Sequence, residues 1–157
     1  DSWQLKDEAK WERLNLLKNS GAGIFKSNRI RFALNRYVAA VRLYEHDKAK
    51  GPEVETLVRL CLLNESMCHL KLGEFRKAEI AASKVIKDDR DNVKALYRRA
   101  QALSKLDDFE HALTDAKRVV ELDPSNGDAR ALFAAVKAQV KKNNDQMKGL
   151  YAKMLAK

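Results

Sequence analysis

Only two prolines and six glycines interrupt the 157 residues, so few points oblige a helix to stop. The two cysteines, Cys61 and Cys68, stand seven apart with no Cys-x-x-Cys and no cysteine–histidine cluster. That pattern excludes a disulfide framework and a structural zinc, and it points to plain thiols in a reducing compartment. The three histidines, His46, His69 and His111, form no constellation with a nucleophile or an acid, so neither catalysis nor a metal or cofactor is expected. No apolar run approaches the length of a membrane span, and no secretory signal pattern opens the chain. The expected location is the cytoplasm, with the nucleus second. No stretch alternates in the manner of a strand. Acids are the scarcer charge, 22 against 31 bases, and the resulting +9 favours acidic partners such as an acidic peptide, a nucleic acid or an anionic membrane surface. Aromatics at 7% and cations concentrated in a groove sized for a peptide argue against nucleic acid, and the lysines from Lys137 to Lys157 read as a solvated helix face rather than a membrane anchor.

What is present is repetition. Ala78 and Ala112 lie 34 residues apart, and their surroundings repeat with them: Phe75 and Phe109 three before, Leu62 and Leu96 sixteen before, Asp89 and Asp123 eleven after. Ala33 anchors a third copy, with Leu17 and Ile30 in the corresponding places and about eleven extra residues before the next. A period of 34 in an all-helical pattern reads as the tetratricopeptide repeat, a helix–turn–helix hairpin that stacks into a right-handed solenoid. The expected division is a short linker over 1–6, three repeats within 7–124 (about 14–47, 59–92 and 93–126) and an amphipathic capping helix over 125–157. Helices are expected over 7–27, 29–48, 53–72, 74–88, 92–106 and 108–122, with Asp91 capping the fifth. In the last helix, Leu132, Phe133, Val136, Val140, Met147, Leu150, Tyr151 and Met154 form one apolar stripe that would cover the third repeat, its far end overhanging.

With the anchoring alanine numbered 20 in each repeat, positions 4, 8 and 11 face the hairpin partner and positions 2, 5, 6, 9 and 13 face the concave groove. The groove set is Asn15, Lys18, Asn19, Ala22 and Lys26, then Leu60, Leu63, Asn64, Met67 and Lys71, then Lys94, Tyr97, Arg98, Gln101 and Lys105. Six of these are cationic and none is acidic. Cations converging from three helices make a trap for carboxylates. Phe25, Leu63, Met67 and Tyr97 offer apolar contact beside them. A peptide terminus with an aspartate side chain has two carboxylates a few ångströms apart; Arg98 presents a planar fork, Lys18 and Lys94 point charges, and Asn64 a two-way amide.

The stretches from Lys94 to Ala100 (KALYRRA) and from Asn64 to Leu72 (NESMCHLKL) resemble the repeat domains of the large immunophilins. Asp1-Ser2-Trp3 is similar to the segment that joins their last FKBP domain to the repeats, and Leu150 to Leu155 (LYAKML) resembles their closing helix. The resemblance covers essentially the whole chain. It implies a monomeric co-chaperone module, itself not an enzyme, from a protein whose peptidyl-prolyl isomerase domains lie upstream. It also implies a carboxylate clamp for the Glu-Glu-Val-Asp tail of the ninety-kilodalton heat-shock chaperone, with the seventy-kilodalton chaperone second. Four of the five clamp positions match, as Lys18, Asn64, Lys94 and Arg98. The fifth, asparagine in the pattern, is Ala22 here, which implies weakened or retuned binding. A different acidic peptide is the alternative, and nucleic acid a distant third.

Overall fold

The computed structural model describes residues 2–26, 29–44 and 51–156, and within the first helix the side chains of Ala9 and residues 11–23. Among the described residues there are seven helices: α1 (Ser2–Lys26), α2 (Ile30–Tyr44), α3 (Pro52–Lys71), α4 (Phe75–Asp88), α5 (Val93–Lys105), α6 (Phe109–Leu122) and α7 (Gly127–Leu155). They form the hairpins α1–α2, α3–α4 and α5–α6, each packed on its successor, with α7 closing the stack. The first helices also touch across repeats, α1 on α3, α3 on α5 and α5 on α7, whereas among the described residues no such contact joins α2 to α4 or α4 to α6. The first helices therefore line the inner, shorter side of a curved stack and the second helices its outer side.

Small residues make the hairpins close. Ala33, Ala78 and Ala112 are fully buried, and facing them stand Gly21, Ser66 and Ala100, also buried. Ser66 lies in this seam without being left unpaired, since its hydroxyl donates to the Ala78 carbonyl at 2.9 Å. Leu62, His69, Leu96 and Leu103 are buried as the repeat register requires. The turns repeat too. Glu74 N–H donates to the His69 carbonyl and Asp108 N–H to the Leu103 carbonyl, closing α3 and α5 the same way. Each closure needs a left-handed residue, which is Gly73 (φ 74°) in one repeat and Asp107 (φ 60°) in the next.

Several boundaries differ from expectation. The helix α1 runs back through Ser2–Lys6, the stretch read as linker. The helix α2 is described to Tyr44, and its expected continuation to Lys48, with His46, lies outside the described residues. The cap of α5 is Asn92, not Asp91: the Asn92 side chain accepts from Ala95 N–H at 3.0 Å, as Asn126 does from Ala129 in the next repeat. Asp91 instead pairs with Arg118 on α6 at 2.9 Å. The helix α3 starts two turns before its repeat begins, from Pro52 at the first helical position, and buries Val54, Leu57 and Val58 in the same core as Val41 and Tyr44 of α2. In α7, Ala129, Leu132, Val136 and Val140 pack on the third hairpin, while Met147, Leu150, Tyr151 and Met154 are exposed. The apolar stripe thus covers the repeat over only half its length.

Two polar links join successive repeats. Arg99 on α5 grips Asp115 on α6 with both prongs, Nε to Oδ2 at 2.7 Å and Nη2 to Oδ1 at 2.8 Å, and reaches Ser83 on α4 at 3.4 Å. Arg31 on α2 meets Glu74 at 2.8 Å, and Glu74 in turn meets buried His69 at 3.4 Å. Burial pushes the Glu74 carboxyl up, but the His69 hydrogen bond, Arg31 and Lys77 outweigh it and hold the group below its ordinary 4.5. A depressed carboxylate stabilises the fold above its unfolded pKa and loses that contribution as the pH falls through the folded value.

Removing Asp115 takes from Arg99 its bidentate partner, and since Arg99 keeps some solvent contact and still has Ser83 and Glu79 near it, the cost sits at the low end of the range for broken buried pairs. Asp115→Ala is expected to lose about 3 kcal/mol of stability in urea unfolding. Asp107→Gly relieves the left-handed strain and is expected to gain about 0.5–1 kcal/mol, read as a rise in melting temperature.

Candidate carboxylate-binding groove

The three-helix inner layer places the sequence-derived site together. Lys18 and Ala22 lie one turn apart on α1, Asn64 on α3, and Lys94 and Arg98 one turn apart on α5, with α3 seated between the other two helices. Lys94 is exposed; Lys18, Ala22, Asn64 and Arg98 are half-buried. Around them Met67, Tyr97 and Gln101 are half-buried and Lys71 and Lys105 exposed. The side chains of Phe25 and Lys26 lie outside the described residues.

Leu63 does not line the groove as expected. Its side chain is only 4% exposed and belongs to the core shared by the first two repeats. One step along α3 from Asn64 is enough to turn it inward. Its carbonyl contributes instead, accepting a hydrogen bond from Nη1 of Arg98. That bond fixes one edge of the guanidinium against α3 and leaves its remaining donors for other acceptors.

The electrostatics are one-sided. Among the described residues no carboxylate pairs with Lys18, Lys94 or Arg98, whereas Arg31, Arg99 and Arg118 each have one. Burial pushes the Arg98 guanidinium below its ordinary value, only partly opposed by Cys68, although an arginine stays cationic at neutral pH. The two thiols that interact with Lys18 and Arg98 are no counter-ions. Burial pushes the Cys61 thiol up to about 12 despite Lys18, and burial and Glu65 push the Cys68 thiol up to about 11 despite Arg98 and Lys71. Both thiols are therefore neutral at physiological pH. Arg98 is thus a cation that has lost water without gaining a carboxylate among the described residues, and a carboxylate arriving there restores what burial removed.

Sequence reasoning missed Tyr37. Its ring is 2% exposed beneath the first repeat, burial pushes its hydroxyl up to about 12, and the Asn64 side chain hydrogen-bonds to it. The signal was available: Tyr37 stands four residues after Ala33, where the other repeats place Ala82 and Ala116. Room for the ring comes from Gly21. A Cβ there would lie 2.8 Å from Tyr37 Cε1, closer than carbon atoms approach. The large tyrosine and the absent side chain compensate each other, and through Tyr37 the packing of the first hairpin reaches Asn64 in the groove.

Gly21→Ala is accordingly expected to cost about 1–3 kcal/mol in urea unfolding, because the enclosed Tyr37 ring cannot retreat. In a Tyr37→Leu background the same substitution should cost much less.

Comparison with known proteins places this architecture. A tetratricopeptide-repeat profile matches residues 93–126. Over 157 residues the chain is 34% identical to the peptidyl-prolyl cis-trans isomerase FKBP4 of Rattus norvegicus, covering 98% of this chain and 34% of that protein. The chain thus spans about a third of the length of the curated relatives it matches. Among solved structures it is similar to the C-terminal tetratricopeptide-repeat domain of a Plasmodium falciparum FK506-binding protein, with 28% identity, TM-score 0.81, and 88% of this chain and 95% of that one covered. It is also similar to the myosin chaperone UNC-45 of C. elegans, solved in complex with a Hsp90 peptide, with 26% identity and TM-score 0.73 over 87% of this chain and 14% of that one.

Proposed function

This chain being a tetratricopeptide-repeat domain of the FKBP immunophilin type, we propose that its groove is a carboxylate clamp for the acidic C-terminal Glu-Glu-Val-Asp tail of a heat-shock chaperone, the ninety-kilodalton one first and the seventy-kilodalton one second. The observation that carries the reading is the set of three cations on the two helices that flank α3, Lys18 on α1 and Lys94 and Arg98 on α5, with no carboxylate partner among the described residues. The Hsp90 peptide bound by the similar UNC-45 supports the choice of ligand.

The mechanism follows from the parts. Arg98, held by the Leu63 carbonyl, offers its free donors to one carboxylate as a planar fork. Lys18 and Lys94 supply point charges to the main-chain and side-chain carboxylates of the terminal aspartate. Asn64, oriented by Tyr37, offers the rest of its amide to the peptide backbone and keeps the tail extended. Met67 and Tyr97 give apolar contact to a valine or methionine. Ala22 offers no donor where an asparagine would give one, so the charge of the three cations carries more of the affinity. By the same kinship we propose that this repeat domain serves a protein with peptidyl-prolyl isomerase activity, recruiting it to the chaperone in the cytoplasm.

Titration of a Met-Glu-Glu-Val-Asp peptide by calorimetry tests the reading. Arg98→Ala should weaken binding more than tenfold, the equivalent of a charge-assisted bond of about 1.5 kcal/mol or more. Ala22→Asn should tighten it by a factor of about three to ten. Equal affinity for the parent domain and Arg98→Ala would overturn the clamp, and point to a different acidic peptide held elsewhere.

A further inference from the structure

The second half of α7 has a seam that nothing covers among the described residues. Phe133, Val136, Val140, Asn143, Met147, Leu150 and Met154 recur at alternating steps of three and four, the pattern of a helix built to pair with another helix. Up to Val140 the third hairpin occupies this seam. Beyond it Met147, Leu150 and Met154 are exposed, with Tyr151 and Leu155 beside them. The residues flanking the exposed seam are Asn144, Gln146, Tyr151 and Lys153, so only one is charged; Lys141, Lys142, Asp145 and Lys148 stand further round the helix.

Where α7 leaves the body there is a cleft of about 220 Å³, walled by Asp107, Asp108 and Glu110 around Phe109 and closed by Val140 and Asn143. Asp108 is engaged by His111 at 2.8 Å and caps α6, while Asp107 and Glu110 form no ion pair with a lysine or arginine among the described residues, Glu110 acting only at longer range on His111. The tip of the helix has the opposite character, with Lys153 beside apolar Met154 and Leu155.

We propose that two copies of this chain pair antiparallel through the overhanging halves of α7, the tip of each seated in the acidic cleft of the other. A crossing midway between Lys148 and Gly149 sets Met147 against Leu150 of the second copy, and Asn143 against its Met154. The same register carries Lys153 of the second copy to Asn144 at the mouth of the cleft and Met154 towards Phe109 and Val140. A parallel pairing would bring the two solenoids to the same end, where they collide. The apolar layers are few, so the dimer is reversible and concentration-dependent. The net charge of +9 on each copy opposes it at low salt, but that repulsion is screened at physiological ionic strength. It is the alternative to the monomer expected from sequence.

Sedimentation equilibrium over a concentration series up to millimolar tests it. The mass is expected to rise from 17.9 kDa towards twice that. Leu150→Lys, on an exposed helix face and with unchanged circular dichroism, should hold it at the monomer value. Lys153→Glu should weaken the dimer, and adding Glu110→Lys should restore it. A constant monomer mass overturns the proposal, as does a dimer indifferent to Leu150→Lys, which would lie on another surface. Failure of the charge exchange to restore association overturns the antiparallel seating.

Discussion

The structure depends on the closeness of its paired helices at one point in each hairpin. Ala33, Ala78 and Ala112 are fully buried there, opposite the repeat positions of Gly21, Ser66 and Ala100, and in the first hairpin the missing side chain of Gly21 makes room for the Tyr37 ring. That closeness gives each hairpin a narrow waist and lets the next one lean on it. The stack then curves, drawing α1, α3, α5 and α7 together on the inside while the outer helices part. A groove lined from several helices is the geometric result, and any residue repeated on the inner face is brought near its counterparts.

Curvature alone makes a groove; the distribution of ion pairs gives it a use. On the outer and inter-repeat surfaces the arginines are paired, Arg31 with Glu74, Arg99 with Asp115 and Arg118 with Asp91. On the inner face Lys18, Lys94 and Arg98 pair with no carboxylate among the described residues, and the thiols beside Lys18 and Arg98 are kept neutral by burial. The protein neutralises its charges where they hold the fold and leaves them open where a ligand can enter. Packing and recognition meet at Tyr37, whose ring fills the space beside Gly21 and whose hydroxyl orients Asn64.

The sequence made the repeat legible because the hairpin seam tolerates so few residue types, and the 34-residue register carried the groove positions with it. Lys18, Ala22, Asn64, Lys94 and Arg98 all fall on adjoining inner helices for that reason. What escaped was set by contacts between different registers. Leu63 and Asn64 are consecutive, and a helical wheel cannot decide which of two borderline neighbours turns inward when a second repeat leans on the first. Asn92 rather than Asp91 caps α5 because Asp91 has a better partner in Arg118, a residue 27 positions away. The long apolar stripe of α7 promised cover along its whole length, but the third hairpin is too short to use more than half. Tyr37 departs from the alanine of its counterparts, a difference that gains meaning only once Gly21 is seen against its ring.

The central claim is that the unpaired inner cations recognise a free chain terminus. Its most direct test compares a Met-Glu-Glu-Val-Asp peptide as the C-terminal acid and as the C-terminal amide, titrated into this domain under the same salt. The account predicts binding of the acid and a loss of more than tenfold for the amide, since one of the two charged acceptors is gone while every other contact remains. Equal binding of the two forms, or of neither, would contradict it.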